Sequence, residues 1–279
     1  IFAGFLTIIF CAVLNPCAGP PGTLAPLIPM VPIMASAGVH PLAFGILVGM
    51  IGIILSLSRA FSKVVNLNGI GTKGGLIILF GVLGIKGAVE NLNSWALLTD
   101  STSLVTILVI IGIVIYIILN KMKFGWLVIP ACAATAIILS LISGKVPEFQ
   151  TGFGLPIINP SIWWNQKWGT GFGFTIANYI KALPYALFAV VLWPLDALAI
   201  RAIQDENYPP DAKNSCFDMD ATYTIVSIRT ILGTFLGGSQ TAAIWRSFMI
   251  PLSIIKRPIG AAALILGILS ILSGILGFP

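Results

Sequence analysis

Charged side chains are scarce in this chain, which holds 15 Lys and Arg, 9 Asp and Glu and a single His. Soluble domains carry roughly 25% charged residues, so 9% together with a mean hydropathy of +1.02 excludes that class. Cysteines number only four, and Cys11, Cys17, Cys132 and Cys216 follow no metal-ligand spacing. The first three lie in apolar sequence, which argues against a disulfide framework and for small buried hydrophobes. With one histidine there is no HExxH zinc motif, and neither a GxSG nucleophile with a Ser–His pair nor a GxGD aspartyl motif occurs. No enzyme activity, catalytic residue, metal or cofactor is therefore expected. Most cations behind the net charge of +6 sit in short loops between apolar runs, where they set topology, so nucleic acid is not an expected partner.

What the chain has in quantity is apolar runs. Runs of about 16 to 20 residues fit helices that cross a hydrocarbon core, and the ten-residue alternation of a membrane barrel is missing. The expected fold is an all-α integral membrane protein with about ten spans, at 1–14, 22–38, 41–58, 74–90, 103–119, 125–143, 179–203, 222–238, 240–255 and 260–277. Arg59, Lys63 and Lys73, then Lys121 and Lys123, then Lys256 and Arg257, fall in loops on one side, which is assigned to the cytoplasm. The acidic loop from Gln204 to Ala221 falls on that side too, since acids weigh little in the rule. Residues 144–178, with Trp163, Trp164 and Trp168, read as an outer interfacial connector. The TGFG tetrapeptides at Thr151 and Thr170 read as turns there. Ile1 opens the sequence inside an apolar run, so the chain reads as a fragment cut at both ends.

Two stretches inside this apolar sequence cannot be ordinary helix. From Asn15 to Pro32 the prolines remove donors and Gly19 and Gly22 permit unusual dihedrals, so the chain unwinds and a helix restarts. Gly237 to Pro251 repeats the pattern with Gly237, Gly238, Ser239, Gln240, Thr241 and a short run through Arg246 and Ser247. Unwound backbone in lipid is tolerated where protein buries it or where it lines a watery cavity, so paired breaks point to a binding site. Gly22 and Thr23 offer backbone and hydroxyl donors at the first break, and Ser239, Gln240, Thr241, Arg246 and Ser247 do so at the second. Arg246 near the start of a short helix would deepen a field that favours an anion. Asp196, after Trp193-Pro194 in an apolar span, is the strongest single candidate for binding substrate or a coupling proton or cation. Arg229 is expected to pair with a carboxylate, and His40 at an outer turn reads as structural.

These residues resemble the superfamily of sulfate permeases and nucleobase or ascorbate permeases. The resemblance implies fourteen spans in two inverted seven-span repeats, with the third and tenth broken around the substrate. The ten spans would then be spans two to eleven: residues 1–143 most of the first repeat, 144–178 a connector, and 179–279 the start of the second. Asp196 matches the acidic position of span eight, and Gly237, Gly238 and the helix through Arg246 match span ten. A closer likeness, carried by LNP at Leu14, PGT at Pro21, PLIP at Pro26, HPLA at His40, GLP at Gly154, NYP at Asn207, SIR at Ser227, LGG at Leu236 and KRP at Lys256, is to a family of bacterial inner-membrane permeases built on a domain of unknown function. The function this implies is secondary transport of a small anion such as sulfate, bicarbonate or an organic anion across the bacterial inner membrane, coupled to a proton or sodium ion. Membrane lipid and a homodimer partner come with it. The alternatives are a nucleobase permease of the same fold and an anion channel.

Overall fold

The computed structural model describes residues 1–23, 27, 30–67, 102–122, 124, 127–142, 158–207, 217–238, 242–245, 248–249, 252–253 and 256–276, with isolated positions between 71 and 90. The chain divides into two compact units, residues 1–73 with 151–279 and residues 74–150. The division cuts through the first sequence range, 1–143, and joins its beginning to the last.

The first unit opens with α1 (Phe2–Thr7), which widens without interruption into a π-helical stretch, Ile8–Leu14. Pro16 stops it: the residue before a proline is pushed out of helical space, and Asn15 sits at φ −141°, ψ 89°. The Asn15 side chain then accepts a hydrogen bond from Cys17 N at 3.1 Å, turning the chain. A short strand β1 (Pro21–Thr23) follows, then α2 (Met30–Ser36), α3 (Pro41–Leu57) and α4 (Ala60–Leu67). His40 caps α3, its Nδ1 accepting from Leu42 N at 3.3 Å while Pro41 fills the first turn. After a second wide-turned stretch, Ile162–Lys167, come α7 (Ile176–Asn207), α8 (Met219–Phe235), strand β2 (Ala242–Ile244) and α9 (Ile259–Leu276). The second unit holds α5 (Thr102–Lys121) and α6 (Val128–Ile142), which pack on each other.

Most expected spans appear as helices with ends shifted by a few residues. Two expected spans are corrected at their beginnings: 22–38 opens in strand β1 and is helical over Met30–Ser36, and 240–255 holds strand β2 at Ala242–Ile244, because the glycines and prolines of the breaks prevent helix there. Most of 74–90 lies outside the described residues. Helix α4 and the Ile162–Lys167 turn were not expected, and two strands interrupt an otherwise helical chain. Cys17 also departs from the reading of a buried small hydrophobe, because it is disulfide-bonded, whereas Cys11 and Cys132 are free. The break explains the difference: it lifts Cys17 out of the helix, and Asp218 N donates to its carbonyl at 3.0 Å.

Helix packing in the first unit follows a swapped pattern. The second helix after the first break, α3, packs on the helix before the second, α8, and α9, beyond the second break, packs on α1 and its π extension before the first. Both crossings are close. A Cβ on Gly49 would lie 2.9 Å from the Ser227 carbonyl, and one on Gly267 would lie 2.9 Å from the Gly4 carbonyl. Two buried hydroxyls on α8 bond back one turn, Ser227 to Tyr223 O at 2.6 Å and Thr230 to Val226 O at 2.8 Å, which satisfies their donors, whereas the buried Thr234 hydroxyl near the end of the helix has no partner among the described residues.

Among the described residues two helices, over Ile176–Asp205 and Ile259–Leu276, are long and apolar enough to cross a membrane. Large apolar side chains stand on the outside, including Ile180, Val191 and Ile265, each more than 60% exposed. A surface of that kind suits lipid tails better than water.

Candidate functional site

The two breaks meet. β1 and β2 pair antiparallel, with Pro21 opposite Ile244, Gly22 opposite Ala243 and Thr23 opposite Ala242. Proline and glycine prevent helix on both segments, and pairing each with the other satisfies backbone groups that would otherwise be stranded in an apolar interior. The ladder extends beyond the strands: Trp245 N donates to Pro20 O at 2.9 Å, and Gly19 N donates to the Thr222 hydroxyl at 2.9 Å. Gly22 is required by space, since a Cβ there would lie 2.6 Å from the Cα of Trp245. Cys11, Ala18, Ile225 and Ala263 form a buried apolar cluster that joins the π stretch, the first break, α8 and α9.

Asp196 is 2% exposed on α7, a helix that packs against β2 as well as α3. The Tyr223 hydroxyl donates to the carbonyl of Trp193, three residues before Asp196 on the same helix. The hydroxyl thus reaches into the turn of α7 that Pro194 loosens, and Asp196 lies within that turn. Phe61 closes the group, with ring centroids 4.4 Å from Tyr223 and 5.9 Å from Trp193.

Gly237 and Gly238 take a different place. Gly237 adopts φ +74°, its N–H bonds Thr234 O at 2.9 Å, and Gly238 N bonds Gly233 O at 2.7 Å, so together they end α8 in a Schellman cap. Trp163 packs against Gly237, and the Trp164 indole N–H donates to the carbonyls of Thr234 and Phe235. Fourteen residues of helix separate Gly237 from Tyr223, about 21 Å along the axis, so the two glycines are not beside Asp196. Gly22 and Thr23 are brought to the strand pair, whereas Ser239, Gln240, Thr241, Arg246 and Ser247 lie outside the described residues.

Two further readings can be placed. Arg229 has no carboxylate partner among the described residues, contrary to expectation; it lines a cavity of about 330 Å³ with Trp163 and Gly238. His40 is structural: besides capping α3 its Nε2 lies 3.1 Å from Gly171 O, and Gly171 and Gly173 hold left-handed turns in the second TGFG. The first TGFG lies outside the described residues. Sequence reasoning missed Tyr223, whose only signal was a hydroxyl in an apolar run four residues from Ser227.

Residues 1–279 match the family described as a protein of unknown function, DUF3360. The chain belongs to that family. Neither a curated protein nor a solved structure matches it.

Proposed function

We propose that this DUF3360 chain is a secondary transporter of the bacterial inner membrane, crossing it many times and moving a small anion by alternating access. The observation that carries the reading is the antiparallel pairing of two non-helical stretches drawn from opposite ends of the sequence. Irregular backbone inside apolar surroundings is costly, and transporters place it where substrate binds. The swapped packing, α3 on α8 and α9 on α1, is what two repeats of opposite orientation produce when they interlock.

In this reading Thr23 and the second break supply donors, Arg246 supplies positive charge, and Asp196 takes up a proton or cation, or bonds the substrate. A fourteen-span inverted repeat of the sulfate and nucleobase permease kind accommodates all of these roles. The test is uptake by the purified protein in proteoliposomes, offering sulfate, bicarbonate, dicarboxylates and nucleobases with and without a proton gradient. Saturable, gradient-dependent uptake of one anion class is the expected result. Uptake of a nucleobase alone moves the substrate to the neutral class. Currents too large for stoichiometric coupling mark a channel. Replacing Arg246 by Gln should raise KM for the anion, and unchanged uptake would remove Arg246 from the site.

A further inference from the structure

A cavity of about 790 Å³ lies away from the strand pair, where the end of α3, the start of α4, the end of α7 and the start of α8 converge. Its polar lining includes Ser56, Arg59, Ser62, Arg201, Asp218 and Asp220. Loop charge assigns this end to the cytoplasmic side.

Most of these groups are already engaged. Asp220 accepts from both the backbone N–H and the hydroxyl of Ser62, tying α4 to α8. One oxygen of Asp218 caps α8 by accepting from Ala221 N at 2.9 Å. Arg201 pairs with Asp205 at 2.8 Å. Three groups remain open. Ser56 is 2% exposed and its hydroxyl has no partner, an arrangement that costs free energy unless something fills it. Arg59 has no carboxylate partner among the described residues, and it is held at φ +56°, a left-handed conformation that a non-glycine side chain rarely adopts. That left-handed turn ends α3, with Arg59 N bonding Ser56 O at 2.9 Å. Asp218, whose Oδ1 caps the helix, lines the same cavity and has its second oxygen left for another donor.

An open cation, an open carboxylate oxygen and a buried hydroxyl in one cavity ask for a ligand of both signs. The wall beside them indicates where it comes from. Met50, Ile54 and Leu57, at 51%, 64% and 73% exposure, form one apolar stripe on α3, and Leu57 itself lines the cavity. A water-soluble zwitterion would gain nothing from that stripe, whereas a lipid would lay its acyl chains along it. We propose that this cavity binds the headgroup of a phosphatidylethanolamine from the inner leaflet, with the phosphate on Arg59 and Ser56 and the primary ammonium on Asp218. Arg201 adds positive potential behind the phosphate, and Asp220 adds acceptor capacity beside the ammonium.

The test reads lipid retention and is independent of what the protein transports. Delipidated full-length protein is titrated with phosphatidylethanolamine, phosphatidylcholine, phosphatidylglycerol or soluble glycerophosphoethanolamine, and bound ligand is counted by native mass spectrometry. Phosphatidylethanolamine should be retained best, because phosphatidylcholine cannot donate a hydrogen bond and phosphatidylglycerol has no cation. Arg59→Asn, which suits the left-handed backbone, and Asp218→Asn, which keeps the helix cap, should each weaken retention about tenfold. Ser56→Ala, which cannot disturb the fold through charge, should weaken it by a smaller factor. Phosphatidylglycerol bound as tightly as phosphatidylethanolamine, glycerophosphoethanolamine bound as tightly as the lipid, or retention unchanged in all three variants would each overturn the proposal.

Discussion

At Gly22 one hydrogen atom decides whether two segments can meet. A Cβ would fall 2.6 Å from the Cα of Trp245, a backbone atom that cannot step aside as a flexible side chain can. Gly22→Val should therefore lower stability by roughly 1–3 kcal/mol, the usual cost of overpacking. Thermal melting of the purified protein in detergent measures this, and a variant melting like the parent would mean the strands are not so close. Tyr223 makes a gentler case. Tyr223→Phe removes the hydroxyl that bonds the Trp193 carbonyl while keeping the ring against Phe61, so the expected loss is about 1 kcal/mol. Little of this was legible beforehand. The sequence marks Asp196 through its apolar neighbours, but Tyr223 looks like any other aromatic until folding brings it 27 positions back onto α7.

Helices announce their ends more plainly than their neighbours. His40-Pro41 at the start of α3, Asp218 before α8 and Gly237-Gly238 after it are local signals, and each is found capping a helix. The strands carried no such signal. Pro20-Pro21-Gly22 forbids helix but does not say what replaces it, because the partner lies more than 200 residues away. The disulfide at Cys17 was missed for a related reason: apolar neighbours in sequence suggest burial, while the break moves the residue out of the helix beside Asp218. Gly237 tests what a cap contributes. Gly237→Ala should destabilise by about 1 kcal/mol from the left-handed backbone, and more where the methyl meets Trp163. Because the residue ends α8 away from Asp196, KM for a transported anion should stay unchanged while the melting temperature falls; a shift in KM without a fall in stability would place Gly237 at the substrate.

The molecule as a whole is organised by the exchange between its two broken segments. Beyond each break lies a helix, α3 or α9, that packs on the helix preceding the other break, so neither half can bury its apolar faces alone. Cysteines placed at Thr23 and Ala242, which face each other across the strand pair, should form a disulfide-linked peptide detectable by mass spectrometry after oxidation. A pair at Thr23 and Ile244, two positions out of register, should not. Transport itself is the most direct test: initial rates of gradient-driven anion uptake in proteoliposomes, for the parent protein beside an Asp196→Asn variant shown by melting to be folded. The expected result is saturable uptake in the parent and uptake reduced by at least about tenfold in the variant, the loss that one buried ionised group in the path can cause. Equal rates from the two proteins would contradict the placement of Asp196 in the transport path, and no uptake of any anion or nucleobase by the parent would contradict the transporter reading itself.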